Sequence, residues 1–211
     1  MTEFVNAFSK AYATLHADLR TGRFDPGARV AASDVLARLQ ISATPVREAL
    51  SRLAGQGLLI DRPAIGYFVP VVDPVELKDL YALAAILAHA ALDNLDQSTV
   101  QIFIDNHLGQ SRHRTAGELL HTLASLSSNA ALRHVAANID DRLARLSAID
   151  AFMFASSDRK SGDLEHWLAS GKKRANKHLV SRFYRLRIKS VLDIASNATQ
   201  KLGNYDTIFV K

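Results

Sequence analysis

No cysteine occurs anywhere in the 211 residues, which excludes disulfides, zinc–thiolate fingers, iron–sulfur clusters and cysteine nucleophiles together. No run is apolar enough to span a bilayer either: the longest, Tyr81 to Leu92, has twelve residues and contains His89, where roughly 20 are needed. The N-terminus has no signal-peptide core, because Glu3, Lys10 and Asp18 break it at helical spacing. None of the eight histidines stands four residues from another, so no helical pair of metal ligands is present. At 48% apolar and 22% charged, the chain can bury a core of one large or two small domains. The expectation is a soluble, cytoplasmic protein without a cofactor and without a membrane partner.

Lys and Arg number 26 against 21 Asp and Glu, a net charge of +5 that fits a polyanionic partner. The excess is unevenly placed. Residues 1–73 carry eight basic and seven acidic side chains, whereas residues 74–211 carry eighteen and fourteen. A run from Lys172 to Lys189 contains Arg174, Lys177, Arg182, Arg185 and Arg187 without an acid between them.

Phe4, Val5, Phe8, Tyr12, Leu15 and Leu19 recur at three- and four-residue steps and predict an amphipathic helix, ended by Thr21-Gly22. Asp25-Pro26-Gly27 reads as a turn, and Ser33–Leu39 as a short helix. Thr44-Pro45 then predicts an N-cap followed by proline in the first helical position. Val46, Ala49, Leu50 and Leu53 share a face of that helix, which Gly55 or Gly57 ends. Leu58-Leu59-Ile60 and Tyr67-Phe68-Val69 flank a turn and read as a β-hairpin. Helix, short helix, tight turn, proline-bearing helix and hairpin make a winged helix-turn-helix.

These residues carry a resemblance. Gly22-Arg23-Phe24-Asp25-Pro26-Gly27-Ala28-Arg29-Val30, the segment Thr44-Pro45-Val46-Arg47-Glu48-Ala49-Leu50, and Gly66-Tyr67-Phe68-Val69 resemble the DNA-binding domain of GntR-family transcriptional regulators. The resemblance implies that the proline-bearing helix enters the major groove of double-stranded DNA. Arg47 and Ser51 would face the groove, with Arg47 forking onto guanine or clamping a phosphate. Ser42 and Thr44 would donate hydroxyls to phosphate, and Gly66 would let the wing backbone approach the sugar–phosphate edge. Arg52 is a further candidate contact, although its spacing from Glu48 equally predicts an intrahelical ion pair. The family usually has arginine where Ala43 stands, often another at Ser33, and a polar or basic residue at Ile65. Fewer direct contacts are therefore expected here.

Residues 74–196 read as about six helices: one from Pro74, one over 99–108 capped by Ser98, one over 115–126, a long one over 130–154, then 163–169 and 172–195. The fold class is thus mainly α, with an N-terminal winged helix-turn-helix (1–73) and a C-terminal all-helical bundle (74–211). A terminal arm carries Tyr205, Ile208, Phe209 and Val210. Leu120-His121 with Asn129 and Leu132 is similar to the FadR-type, or FCD, ligand-binding branch of the family. That branch implies a divalent metal on one Asp and three His, beneath a carboxylate effector. Only His121 matches, since Gly117 stands at the aspartate position and Ser161 and Phe183 near the other histidine positions. No metal is therefore expected. A site joining His121 to His134, His166 or His178 is the alternative, and Asp140-Asp141 reads as solvated. Without a metal, a small organic acid needs another cation, and Arg182 and Arg185 are the candidates alongside His121. The resulting expectation is a ligand-responsive regulator binding a short palindromic operator as a homodimer. The rival readings are a ligand-blind regulator controlled by a protein partner and, with no supporting motif, a metal-dependent enzyme using His121 and Glu118.

Overall fold

Apolar residues near the N-terminus leave one face of a long helix wanting cover, and a second helix supplies it. The computed structural model describes residues 2–107, 114–161 and 164–203; His113 and the arm residues Tyr205, Ile208, Phe209 and Val210 lie outside them. Two compact units meet between Val72 and Asp73. In the first, α1 (Thr2–Arg20) packs on α3 (Ala43–Gly55), with α2 (Ala32–Leu39) beside it. Ala11, Leu15 and Leu19 of α1 meet Val46, Ala49, Leu50 and Leu53 of α3 and Val35 of α2 in one buried cluster. Asp18, at the edge of this cluster, ties Arg23 and the Arg38 side chain of α2 to α1.

Three antiparallel strands complete the unit in the order β1-β3-β2: β1 (Arg29–Val30), β2 (Ile60–Arg62) and β3 (Gly66–Phe68). The hairpin of β2 and β3 follows the expectation, with Ile60 opposite Phe68 and Arg62 opposite Gly66. The β1 strand is an addition, because two residues are too few to display a period of two. Its register is held by Gly27 N–H to the Val69 carbonyl and Val69 N–H to the Ala28 carbonyl, each 2.9 Å.

The helix-turn-helix differs from the reading at its turn. Gln40 caps α2 in the left-handed region (φ 52°), and Ser42 rather than Thr44 is the N-cap of α3. Pro45 thus sits third in the helix. Its missing N–H still falls among the first-turn donors that have no intrahelical partner, so the position tolerates it. The C-terminus of α3 is closed by Gly57 N–H to Ala54 and Leu58 N–H to Leu53, with Gly57 at φ +76°. That is a Schellman closure, and it brings Leu58 onto Leu53.

The second unit contains eight helices among the described residues: α4 (Pro74–Asp93), α5 (Gln97–His107), α6 (Ala116–Ser125), α7 (Ala130–Ala144), α8 (Ser147–Ser161), α9 (Leu164–Ala169), α10 (Lys173–Lys189) and α11 (Val191–Gly203). The expected helix over 130–154 is broken at Arg145-Leu146, and the last at Ser190. Tight turns make both breaks, Leu146 N–H to Leu143 and Ser190 N–H to Arg187. Neither has a glycine or proline to announce it. Asp96, not Ser98, caps α5 by accepting from Thr99 N–H at 2.8 Å. The hydroxyls of Ser98 and Thr99 and that amide hold its carboxyl down at about 2. Helix α4 is central and contacts α6, α7, α10 and α11, with Tyr81, Ala84, Ala88 and Ala91 buried.

Candidate nucleic-acid interface and effector pocket

The face of α3 away from the core is built by phase alone. With Val46, Ala49, Leu50 and Leu53 buried, Thr44, Arg47, Glu48 and Ser51 are all exposed. Ser42, just before the helix, makes no capping bond with its side chain, which leaves its hydroxyl and the first-turn amides available to a phosphate. The structure therefore brings Ser42, Thr44, Arg47 and Ser51 to one exposed surface.

Arg52 does not pair with Glu48. Its guanidinium lies over the Tyr12 ring, 5.5 Å from the centroid, and the Tyr12 hydroxyl donates to Gln56 at 2.9 Å. An aromatic face on α1 thus holds this side chain across the α1–α3 seam. Gly66 is not the tip of the wing. The reversal runs from Arg62 to Ile65, whose N–H bonds the Arg62 carbonyl at 2.9 Å, with Ala64 left-handed at φ 63°. Gly66 opens β3 at φ +130°, and a Cβ there would lie 3.0 Å from Arg29 Nε. Two wing cations went unnoticed in the sequence: Arg29, beside Gly66, and Arg62, over the Phe68 ring at 4.5 Å. Arg62 stands within the strand–turn–strand read as the wing, whereas Arg29 stands in β1, which no local sequence signal marks.

In the second unit a cavity of about 310 Å³ opens between α5, α6 and α7. Helix α5 gives it Phe103 and His107, stacked at 4.5 Å, and α6 gives it Glu118, His121, Thr122 and Ser125. Asp140 enters from α7, its Oδ2 4.0 Å from His121 Nδ1. Glu118 also closes the capping box of α6 with Thr115. Arg114 lines the cavity but is bound to the buried Glu165 at 2.6 Å, so its charge is matched from α9.

Asp140 is buried, which corrects its reading as a solvated residue. A Cβ at residue 117 would strike its carboxylate and lie 3.0 Å from its Cα. Gly117 therefore makes room for a carboxylate from the neighbouring helix. His134, His166 and His178 are exposed and absent from this cavity, and His107 takes the place expected of them. Among the described residues no three His, Asp or Glu side chains are set to hold a metal ion.

Arg182 and Arg185 are exposed and are not among the residues that line this cavity. The buried arginine of α10 is Arg187. It sits between Phe154 (4.5 Å) and Phe183 (3.4 Å), bound to Asp150 at 2.7 and 2.8 Å and to Asp158 at 2.7 Å. Burial would lower its pKa, and the two carboxylates more than reverse that. Asn176, Val180, Phe183, Tyr184 and Arg187 fall on one side of α10, so helical phase marked Arg187 as the inward cation.

Residues 8–69 match the gntR family of bacterial regulatory proteins. The chain is 32% identical over 133 residues to the Nta operon transcriptional regulator of Aminobacter aminovorans, covering 57% of this chain and 63% of that one. It spans 44 to 63% of the length of three curated relatives it matches. A Rhodococcus sp. RHA1 structure described as a transcriptional regulator GntR superposes with TM-score 0.69 at 21% identity, over 88% of this chain and 97% of that one. Escherichia coli McbR/YncC does so with TM-score 0.63 at 20% identity, over 89% and 97%. The fold of each unit is thus one already seen in these two solved structures, and residues 8–69 of the first unit are similar to the gntR family of bacterial regulatory proteins.

Proposed function

We propose that the protein is a cytoplasmic, DNA-binding transcriptional regulator whose first unit reads double-stranded DNA and whose second unit dimerises and binds a small effector. The observation that carries the reading is the exposed face of α3, where Ser42, Thr44, Arg47 and Ser51 stand together over a fully packed core. Two such helices related by a two-fold axis read an inverted repeat, each taking one half-site. Arg29 and Arg62 of the wing add phosphate contacts beside Gly66.

The second unit is read as a divergent FCD-type sensor. Its effector site is the cavity holding His121, with His107, Glu118 and Asp140 as the polar groups that orient a ligand. Arg182 and Arg185 are not among its lining residues. An effector drives regulation only through different affinities for DNA-competent and DNA-free states. Nothing in the cavity pairs a nucleophile with a base, and an enzyme is not proposed. Fluorescence anisotropy on a labelled operator duplex tests the reading: the full chain binds, and small organic acids and amines change that affinity in the parent but not in His121→Ala. An affinity indifferent to every compound that raises the melting temperature would remove the sensor and favour control by a protein partner.

A further inference from the structure

Positive charge in this chain is gathered on a single helix. Residues 172–189 hold eight of the eighteen basic side chains of residues 74–211 and none of the fourteen acidic ones. The rest of that region therefore has ten basic residues against fourteen acidic. Three of the eight have partners: Arg187 is buried on Asp150 and Asp158, and Lys173 and Lys177 bind Asp93 at 2.9 and 2.6 Å. Arg174, Arg182, Arg185 and Lys189 are exposed and make no ion pair or hydrogen bond among the described residues.

Their spacing puts them in line. Arg174, His178, Arg182, Arg185 and Lys189 follow one another at steps of four, four, three and four residues, all exposed. At 100° per residue they occupy a strip within about 80° of the helix circumference, and at about 1.5 Å per residue the strip is about 22 Å long. The opposite side of α10, with Val180, Phe183 and Tyr184, is buried in the core. The part-buried Leu179, Leu186 and Ile188 lie between the strip and that core, so the fully exposed side chains of the strip itself are basic or histidine.

We propose that this strip of α10 lies on the sugar–phosphate backbone of duplex DNA and supplies sequence-independent affinity. The inference rests on the reading of the protein as a DNA binder and adds a second surface to it. Charge complementarity selects the occupant. About 22 Å of duplex presents on the order of a dozen phosphates. Three of the four permanent cations are arginines, whose planar fork fits phosphate oxygens in pairs. The strip has no exposed aromatic residue on which unpaired bases would stack, and the apolar residues beside it, Leu179, Leu186 and Ile188, are part-buried rather than presented to a lipid surface. The first unit also has need of such help, since residues 1–73 hold eight basic side chains against seven acidic.

The test compares the full chain with the triple variant R174Q/R182Q/R185Q and with Arg47→Ala. The probes are two labelled duplexes of about 40 bp, four helical turns, one carrying an operator selected from a random pool and one with that sequence scrambled. Each phosphate contact contributes about 0.9 to the slope of log K against log salt. The triple variant is expected to flatten that slope by two to three per bound chain on both duplexes, leaving the preference for operator over scrambled DNA unchanged. Arg47→Ala lowers that preference instead. Unchanged slopes overturn the inference even where the operator is still preferred. A flattened slope without any operator preference in the parent protein sustains the strip and removes the sequence-reading role of α3.

Discussion

At the scale of single residues, the side chains that matter most are those whose surroundings have no substitute for them. Arg187 is one. Replacing it with Met leaves the buried Asp150 and the part-buried Asp158 without this cation, a loss of about 3–5 kcal/mol at neutral pH. Carboxylates deprived of a cation have raised pKa values, so this variant regains part of the loss as the pH falls toward 5, the reverse of ordinary acid destabilisation. Chemical denaturation at pH 7.5 and 5 measures both effects, and a loss independent of pH would mean the carboxylates find other partners. Gly117 is another. Gly117→Ala drives a methyl against Asp140 and its backbone and is expected to destabilise by about 1–3 kcal/mol, read from the urea midpoint. Neither residue announced itself in the sequence. Arg187 lies inside a basic run and is marked only by its phase with Phe183 and Tyr184, and what Gly117 makes room for stands on a neighbouring helix.

At the scale of elements, what could be read in the sequence was what a period or a turn residue writes locally. The α1, α2 and α3 helices and the hairpin follow from apolar spacing, and the capping box of Thr115 and Glu118 that opens α6 is a signal of the same local kind. The breaks between α7 and α8 and between α10 and α11 were invisible because tertiary packing makes them, without glycine or proline. Strand β1 was invisible because its pairing with β3 is a non-local fact. The same holds for the seam of α4 and α10, where His89 Nε2 meets Ser181 Oγ at 2.9 Å. Burial, then Lys177, lowers the His89 pKa. A depressed histidine pKa means that the unfolded chain binds the proton first. The stabilisation is therefore present above the ordinary value near 6.5 and is lost as the pH falls from there through the lower value of the folded state. The melting temperature is expected to drop between pH 7.5 and 5.5, and His89→Gln to reduce that drop. An identical pH dependence in the variant would place its origin elsewhere.

At the scale of the whole molecule, the proposed function divides recognition and control between the two units. Losing the second unit is expected to lower affinity far more than contact counting indicates, because pairing two readers makes the second half-site contact intramolecular. Sedimentation of the full chain at micromolar concentration is expected to give a dimer. The most direct test of the central claim is the DNA sequence that the full chain selects from a random duplex pool. The account predicts a two-fold symmetric consensus, and Arg47→Ala is expected to relax it at one position in each half at about 1–3 kcal/mol per base. Recovery of a pool no different from its input, with parent and Arg47→Ala alike, would contradict it.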